Sequence, residues 1–457
     1  MPTKETTPTN SRTSAVRTFG PAIPLAIALA HTALTGAAKI TTTTTTTTIR
    51  HVPATTKSCQ LSSSSTTPCK APFPLLSKDH PVDWWFVFKL NATAFPKCPG
   101  GVDTRSCPFG GTVQTASTYR FGQQYVYASK DSPTLQEGVK DCIGTTLDDP
   151  VGATFDEVYN GNFHYVIWND QPYGDPEIDS CKDSCPSSWG HSKGMLAWND
   201  DGDGFVMQVS TPSWPEAGNK DHPRETDGNT LGCVNNNDVK FSQHFFALRL
   251  EKDDVVEVLK GLANASVATD PSNAQIVNNG GPSDVQALVT ALGKRSDSAS
   301  LLSHTLSSGV LFIAKPTNLN VPPWQMVSAT LDGVPLRTAT WWNSTSIPST
   351  NADTPIECWE DTLGKPGAVE IATTGSWKDQ KFSLTSGGNH AKIGVSTSIS
   401  DHYAIFGDMN QQGAINRADG CKSSQNGRGG MFFVMDNAPL SASLGKLIEG
   451  DSAPATK

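Results

Sequence analysis

Apolar residues gather in short runs separated by polar, glycine- and proline-rich segments, the pattern of a chain that builds many strands and few long helices. The run Val82-Asp83-Trp84-Trp85-Phe86-Val87-Phe88-Lys89-Leu90 follows Pro81 and predicts a buried strand at the start of the folded region. Further strands are predicted at 125–127, 164–168, 194–198 and 205–209, with a polar turn at 199–204 between the last two. Across 241–262 the apolar positions Phe245, Leu248, Val255, Val256 and Leu259 fall at helix-like spacings, and Asp253-Asp254 is placed to cap a second helix and break the run. A stretch rich in Gly, Asn and Pro at 278–284, with another polar one near 296–300, marks the candidate hinge between two halves. Strands then resume at 310–313, 338–342, 392–395 and 403–406. The two halves share no close sequence repeat, so any duplication is structural.

The first 70 residues differ from the rest, with Ser, Thr and Pro throughout and an unbroken threonine run at 41–48, a composition that cannot build a core. Within them Ile23-Pro24-Leu25-Ala26-Ile27-Ala28-Leu29-Ala30 has Lys4, Arg12 and Arg17 upstream and Gly36-Ala37-Ala38 downstream. That reads as a secretory leader with a cleavage site, too short to span a bilayer. A disordered tail holding a few aliphatics is the competing reading. The expected organisation is a leader (1–38), a Ser/Thr-rich linker (39–78), an N-terminal half (79–295), a C-terminal half (296–440) and a C-terminal tail (441–457).

Ten cysteines form an even set whose spacings differ from zinc-ribbon and thioredoxin patterns, so disulfides are expected, with Cys98 and Cys107 near enough for a local pair. Sequons at Asn91-Ala92-Thr93, Asn264-Ala265-Ser266 and Asn343-Ser344-Thr345 fit a secretory route. The net charge of −9 argues against a general electrostatic grip on nucleic acid at neutral pH. Protonation of the ten histidines near pH 5 would cancel that deficit and favour a polyanionic substrate.

Two tripeptides carry the candidate chemistry: His191-Ser192-Lys193 and His390-Ala391-Lys392, both H-x-K. In an extended chain residues i and i+2 share a face, so each would set an imidazole beside an ammonium. Such a pair suits a phosphate: the ammonium holds a non-bridging oxygen while the imidazole attacks phosphorus or protonates the leaving oxygen. The acidic turn at 199–204 resembles half of a calcium loop, but Ser210 stands where the bidentate Glu belongs, so a hairpin turn is expected. Trp84, Trp85, Trp341 and Trp342 could stack on bases, although aromatic residues in apolar runs are more often core. Asp83 reads equally well as a ligand-side group or a satisfied structural carboxylate.

The surroundings of both tripeptides resemble the deoxyribonuclease II family, acid endonucleases of the wider phospholipase D-like superfamily. The resemblance rests on 81–90, Trp168-Asn169-Asp170-Gln171-Pro172, Gly190-His191-Ser192-Lys193-Gly194, Gly407-Asp408-Met409-Asn410 and Arg428-Gly429-Gly430, in the family's order over roughly 80–435. The loops at 97–118 and 175–186 and the threonine tract depart from it. The resemblance implies an α/β pseudo-dimer of two phospholipase D-like sandwich halves forming one central active site. It implies His191, Lys193, His390 and Lys392 as catalytic residues and Asn410, Asp408 and Arg428 as supporting or phosphate-binding groups. Asp408 closing a turn and Arg428 sitting in a tight turn are the plain alternatives.

The activity implied is a metal-independent acid endodeoxyribonuclease, working through a phosphohistidine and leaving 3′-phosphate and 5′-hydroxyl ends. It calls for DNA as substrate, no cofactor, no metal and no membrane, with a homodimer left open. Secretion or an acidic lysosome- or vacuole-like compartment is the expected location. A catalytically silent DNA- or glycan-binding relative and a phosphodiesterase for another substrate are the competing functions.

Overall fold

A computed structural model describes residues 71–95, 123–138, 143–144, 146–178, 181–225 and 240–456, together with 109, 229 and 231. The leader, the threonine tract and Cys59, Cys69, Cys98, Cys107, Cys142 and Cys233 lie outside them. The aromatic run near the start becomes the strand Trp84–Lys89, buried at every position because neighbours cover both of its edges. It belongs to an eight-stranded sheet ordered Val277–Asn278, His164–Asn169, Lys193–Trp198, Gly204–Val209, Gln243–Leu250, Trp84–Lys89, Tyr125–Ser129, Gln136–Glu137. A second, seven-stranded sheet runs Leu302–Thr305, Leu311–Lys315, Gly430–Asp436, Tyr403–Gly407, Ile393–Ser396, Leu336–Ala339, Val369–Ile371. Apart from one parallel pair at the edge of the second sheet, both are antiparallel, giving an α/β fold with few helices.

The centres of the two sheets are built alike. In each, an antiparallel three-strand meander starts at the end of an H-x-K, and its last strand pairs with an earlier strand that ends in lysine, Lys89 or Lys315. The sheets pack face to face. Because side chains alternate across a strand, Phe246 points inward and stacks on Phe406 at 4.4 Å, while Phe245 points away onto Trp214. Phe86 lies on the other side of Phe406 at 4.8 Å. The outer face of the first sheet is covered through Trp214 by Phe155 of the helix Pro150–Tyr159, which Asp149 caps by accepting the Gly152 N–H. The outer face of the second is covered by the helix Pro323–Thr330, whose Trp324 meets Phe432 edge-on. The helix Lys252–Asn264 follows the first sheet's meander and reaches Leu311–Lys315 of the second.

Several expectations change. The helix-like spacing at 241–262 conceals a strand, Gln243–Leu250, and the helix begins only at Lys252, where Glu251 and Asp254 form a capping box. Both edges of Gln243–Leu250 are paired, so a run of residues apolar on two faces reads the same in either state until its neighbours are known. The proposed hinge at 278–284 lies within the first half: Val277–Asn278 pairs with the strand at His164, and the helix Ser283–Ala291 packs on Lys252–Asn264. Residues 441–457, set apart as a tail, are part of the fold. They include most of the helix Ala438–Leu447, and Arg337 donates to the carbonyls of Ile448 and Gly450.

The turn at 199–204 is a hairpin in which Asn199 Oδ1 accepts the N–H groups of Asp201 and Asp203. Trp84, Trp85 and Trp342 are buried, and Asp83 is exposed beside Arg249. Among the described residues two disulfides are present, Cys181–Cys185 and Cys358–Cys421. Asn91 is buried with its amide donating to Gly388 O, and Asn264 donates to Ser300 O and Ala314 O, so neither sequon offers a free amide in the folded chain. Among the described residues no helix is long and apolar enough to cross a membrane.

Phe406 is fully buried between two rings of the opposite sheet. Phe406→Ala is expected to lower the unfolding free energy by about 3–5 kcal/mol, read as a fall in the urea midpoint. A loss below about 1 kcal/mol would contradict this packing.

Candidate active site

Both H-x-K motifs lead into a strand, the first with Lys193 opening Lys193–Trp198 and the second just ahead of Ile393–Ser396. In each the middle residue is buried, Ser192 beneath the Trp168 indole N–H at 2.8 Å and Ala391 in the core. Each histidine is held by its backbone to the other sheet. The His191 N–H donates to Gly429 O and the His390 N–H to Ser242 O, both at 2.8 Å, and these acceptors immediately precede the closing strands Gly430–Asp436 and Gln243–Leu250. The charges of one motif also act on the other: Lys392 depresses His191, and Lys193 depresses His390. The two pairs therefore lie close enough for their charges to interact.

Around His191 the groups are tightly committed. Its Nδ1 lies 2.7 Å from the backbone oxygen of Asp408. A carbonyl only accepts, so Nδ1 carries the proton and Nε2 presents a lone pair. Lys193 Nζ donates to Asp170 Oδ1 at 2.5 Å, and Asp170 Oδ2 takes Arg428 at 2.8 Å. Burial alone would raise the Asp170 carboxyl, but Lys193, His191 and Arg428 outweigh it and hold it well below the usual carboxylate range. Arg428 also donates to the carbonyls of Trp189 and Gly190. It thus ties the second sheet's loop to the segment leading into His191, where the sequence suggested a phosphate contact.

The His390 side is different. Its ring stacks on Phe241 with centroids 4.4 Å apart, and Gln243 Nε2 donates to its Nδ1 at 3.3 Å. Lys392 Nζ donates to His390 O at 2.5 Å, and the Lys392 N–H donates to Nδ1 of the buried His244. Both catalytic candidates, His191 and His390, are pushed well below the usual histidine value, chiefly by burial and then by the neighbouring lysines, with Asp170 alone opposing at His191. Burial also takes Lys392 down to about 7, Lys193 adding to the effect while Asp170 and Asp408 resist it. Asp408 moves the other way. Burial raises its carboxyl to about 7 against the Ser192 hydroxyl, the Met431 N–H and both lysines.

Asp408 therefore reaches the site with its backbone oxygen and stands as a buried, easily protonated acid. Asn410 is buried and bonded to Gln412, with its Oδ1 unpartnered. Asp170, Gln243 and two lysines are the residues that motif reading left without a role. Lys89 donates to Phe241 O and Lys315 to Asn426 O and Arg428 O, so each ammonium cages the segment that receives a histidine N–H. A lysine closing an apolar strand, WWFVFK or LFIAK, was the available signal. Gly429 is required for a steric reason: a Cβ there would lie 2.0 Å from Ala265 O, at the end of the helix Lys252–Asn264. Among the described residues no three His, Cys, Asp or Glu side chains cluster as a metal-binding set.

Paired imidazoles and ammoniums at the meeting of two antiparallel sheets suit chemistry on a phosphate, and the family match places the chain among the hydrolases. The chain belongs to the deoxyribonuclease II family, whose model, Deoxyribonuclease II, matches residues 74–450. It is similar to deoxyribonuclease-2-alpha of Mus musculus, 27% identical over 298 residues, or 60% of this chain and 73% of that one. Deoxyribonuclease-2-alpha of Rattus norvegicus is 29% identical over 273 residues, 53% of this chain and 66% of that one. Plancitoxin-1 of Acanthaster planci is 28% identical over 170 residues, 35% and 39% of the respective chains.

Asp408 keeps its proton up to about pH 7 when folded, against 3.8 as its ordinary value. Its contribution to stability is thus present below about pH 4 and lost as pH rises through 7. Asp408→Asn has nothing to titrate, so relative to the parent it is expected to gain on the order of a few kcal/mol between pH 5 and pH 8. Urea denaturation at both pH values measures this, and a parent–variant difference that does not change with pH would refute it.

Proposed function

We propose that the chain is a metal-independent acid endodeoxyribonuclease built as a pseudo-dimer of two phospholipase D-like halves, 79–295 and 296 onward with 441–457 included, and one active site between them. The observation that supports this reading is the pair of reciprocal backbone bonds, His191 to Gly429 and His390 to Ser242, each tying one H-x-K motif to the opposite sheet. His191 is the nucleophile, a role supported by the Asp408 carbonyl on Nδ1, which leaves Nε2 free to attack. As the P–N bond forms, the P–O5′ bond breaks and the departing 5′-oxygen takes a proton from His390. Water then attacks the phosphohistidine, giving its proton to His390, and releases His191 with a 3′-phosphate end.

Lys193 and Lys392 hold the non-bridging oxygens and supply the positive charge that a divalent ion supplies in other nucleases. Each uses one N–H for an internal bond, to Asp170 or to His390 O, and has further donors for phosphate. Asp408, Asn410 and Arg428 support the site rather than react. Acid dependence follows from the same groups: raising the pH through 7 discharges Lys392 and ionises Asp408, so the pocket loses positive charge just where the phosphate must bind. Burial keeps His390 neutral in the free enzyme, and an arriving phosphate favours its proton. DNA is the partner, and the leader and acid dependence fit secretion or delivery to an acidic compartment.

Plasmid cleavage in excess EDTA tests this with the mature chain, His191→Ala and His390→Ala at pH 5 and pH 7.5. Nicking at pH 5 that survives EDTA and falls at least about a thousandfold in both variants is expected. Cleavage untouched by either substitution, or abolished by EDTA, would remove the two-histidine mechanism.

A further inference from the structure

Strand order around the two histidines matches, yet their side chains meet different partners. His191 turns Nδ1 to a carbonyl, whereas His390 turns Nδ1 to the Gln243 amide. Two acceptors face the Ser210 hydroxyl, Gln243 Oε1 at 2.6 Å and His244 O at 3.4 Å, and the shorter bond favours one end of the amide. Ser210 Oγ donates to Gln243 Oε1 at 2.6 Å, and the Ser210 oxygen itself accepts the His244 N–H at 2.8 Å. With Oε1 taken, Nε2 is the atom presented to His390. Both supporting residues are buried, so water does not compete for these bonds.

We infer that Gln243, anchored by Ser210, is a positioning residue that keeps His390 in its Nε2–H tautomer, resists a second proton on Nδ1, and so sets the alkaline limit of activity. The inference rests on His390 acting as the proton donor. A proton on Nδ1 would face an N–H donor, and relief requires the amide to rotate and the Ser210 hydroxyl to exchange its 2.6 Å bond for the 3.4 Å one to His244 O. The charged groups acting on His390 are Lys392 beside it, Lys193 from the first sheet's meander and Lys89 from the adjoining strand, all positive. Phe241 covers one ring face, with Lys240 over the far ring at 5.4 Å. Among the described residues no carboxylate backs the imidazolium as one backs many catalytic histidines, and the substrate phosphate becomes the anion that stabilises it. Protonation of the acid is thereby tied to occupancy of the site.

Gln243→Glu replaces the donor with an acceptor and is expected to raise the proton affinity of His390 at least about tenfold, about one pH unit. Ser210→Ala frees the amide to turn its oxygen inward and is expected to shift it in the same direction by less. The side-chain ¹⁵N shifts of His390, assigned by comparison with His390→Asn in the full chain, report tautomer and midpoint whether or not DNA is cut. The pH profile of plasmid nicking reports the same group in turnover. A lone pair on Nδ1 in the parent, with upward midpoint shifts in Gln243→Glu and Ser210→Ala, supports the inference. An Nδ1–H tautomer in the parent, or unmoved midpoints in folded variants, overturns it. Ser210→Ala alone decides if the buried glutamate prevents folding. Shifted midpoints in a chain that never cleaves DNA would keep the role of Gln243 and remove the nuclease reading.

Discussion

Each histidine of the site depends on a backbone hydrogen bond to the opposite sheet, His191 to Gly429 and His390 to Ser242. A backbone N–H withdrawn from water needs a partner, and here that partner comes from a segment distant in sequence. Neither motif is finished until both sheets have formed and met. The two buried lysines extend the device, since Lys89 fixes the carbonyl just before Ser242 and Lys315 the carbonyl just before Gly429. The aromatic stack of Phe86, Phe406 and Phe246 locks the sheets at the separation that those bonds require. Packing and chemistry are consequently one problem in this fold.

Drawing ionisable groups into that seam has an electrostatic consequence. Asp170 is the one carboxylate there held firmly charged, and it achieves this by binding Lys193 and Arg428 at once. The second carboxylate, Asp408, has no such cation on its side chain and is pushed toward the neutral form. Lys392, bonded to a carbonyl rather than a carboxylate, moves toward losing its charge. Burial thus sorts chemically equivalent residues into different protonation states according to their partners. This sorting makes the site's charge steeply dependent on pH in the range where histidine also titrates.

The strands were legible because they are short apolar runs bounded by turn residues, and Trp84–Lys89, His164–Asn169 and Gly204–Val209 appear where the pattern places them. Gln243–Leu250 was misread as helical because a central strand buried on two faces loses the alternation that identifies a strand. The segment 441–457 reads as a tail because its apolar residues are few, yet Leu444, Leu447 and Ile448 are buried in the core and Arg337 holds the carbonyls that follow the helix. In the site, the two H-x-K motifs were visible as spacing. The role of Arg428 was not, because Asp170 and the carbonyls of Trp189 and Gly190 that occupy it lie more than two hundred residues away.

By itself the sequence determined which side chains could do chemistry and which runs would be buried, since both are properties of residue type and short-range order. It placed an imidazole two residues before an ammonium twice over, and it ended two apolar strands in lysine. Only the tertiary structure decided that each motif is bonded to the opposite sheet, that Arg428 ties two segments together, and that His191 and His390 meet different partners. Those outcomes depend on hydrogen-bond geometry and desolvation between segments remote in the chain. Such terms exist only when the sheets have packed, so no local pattern could have encoded them legibly.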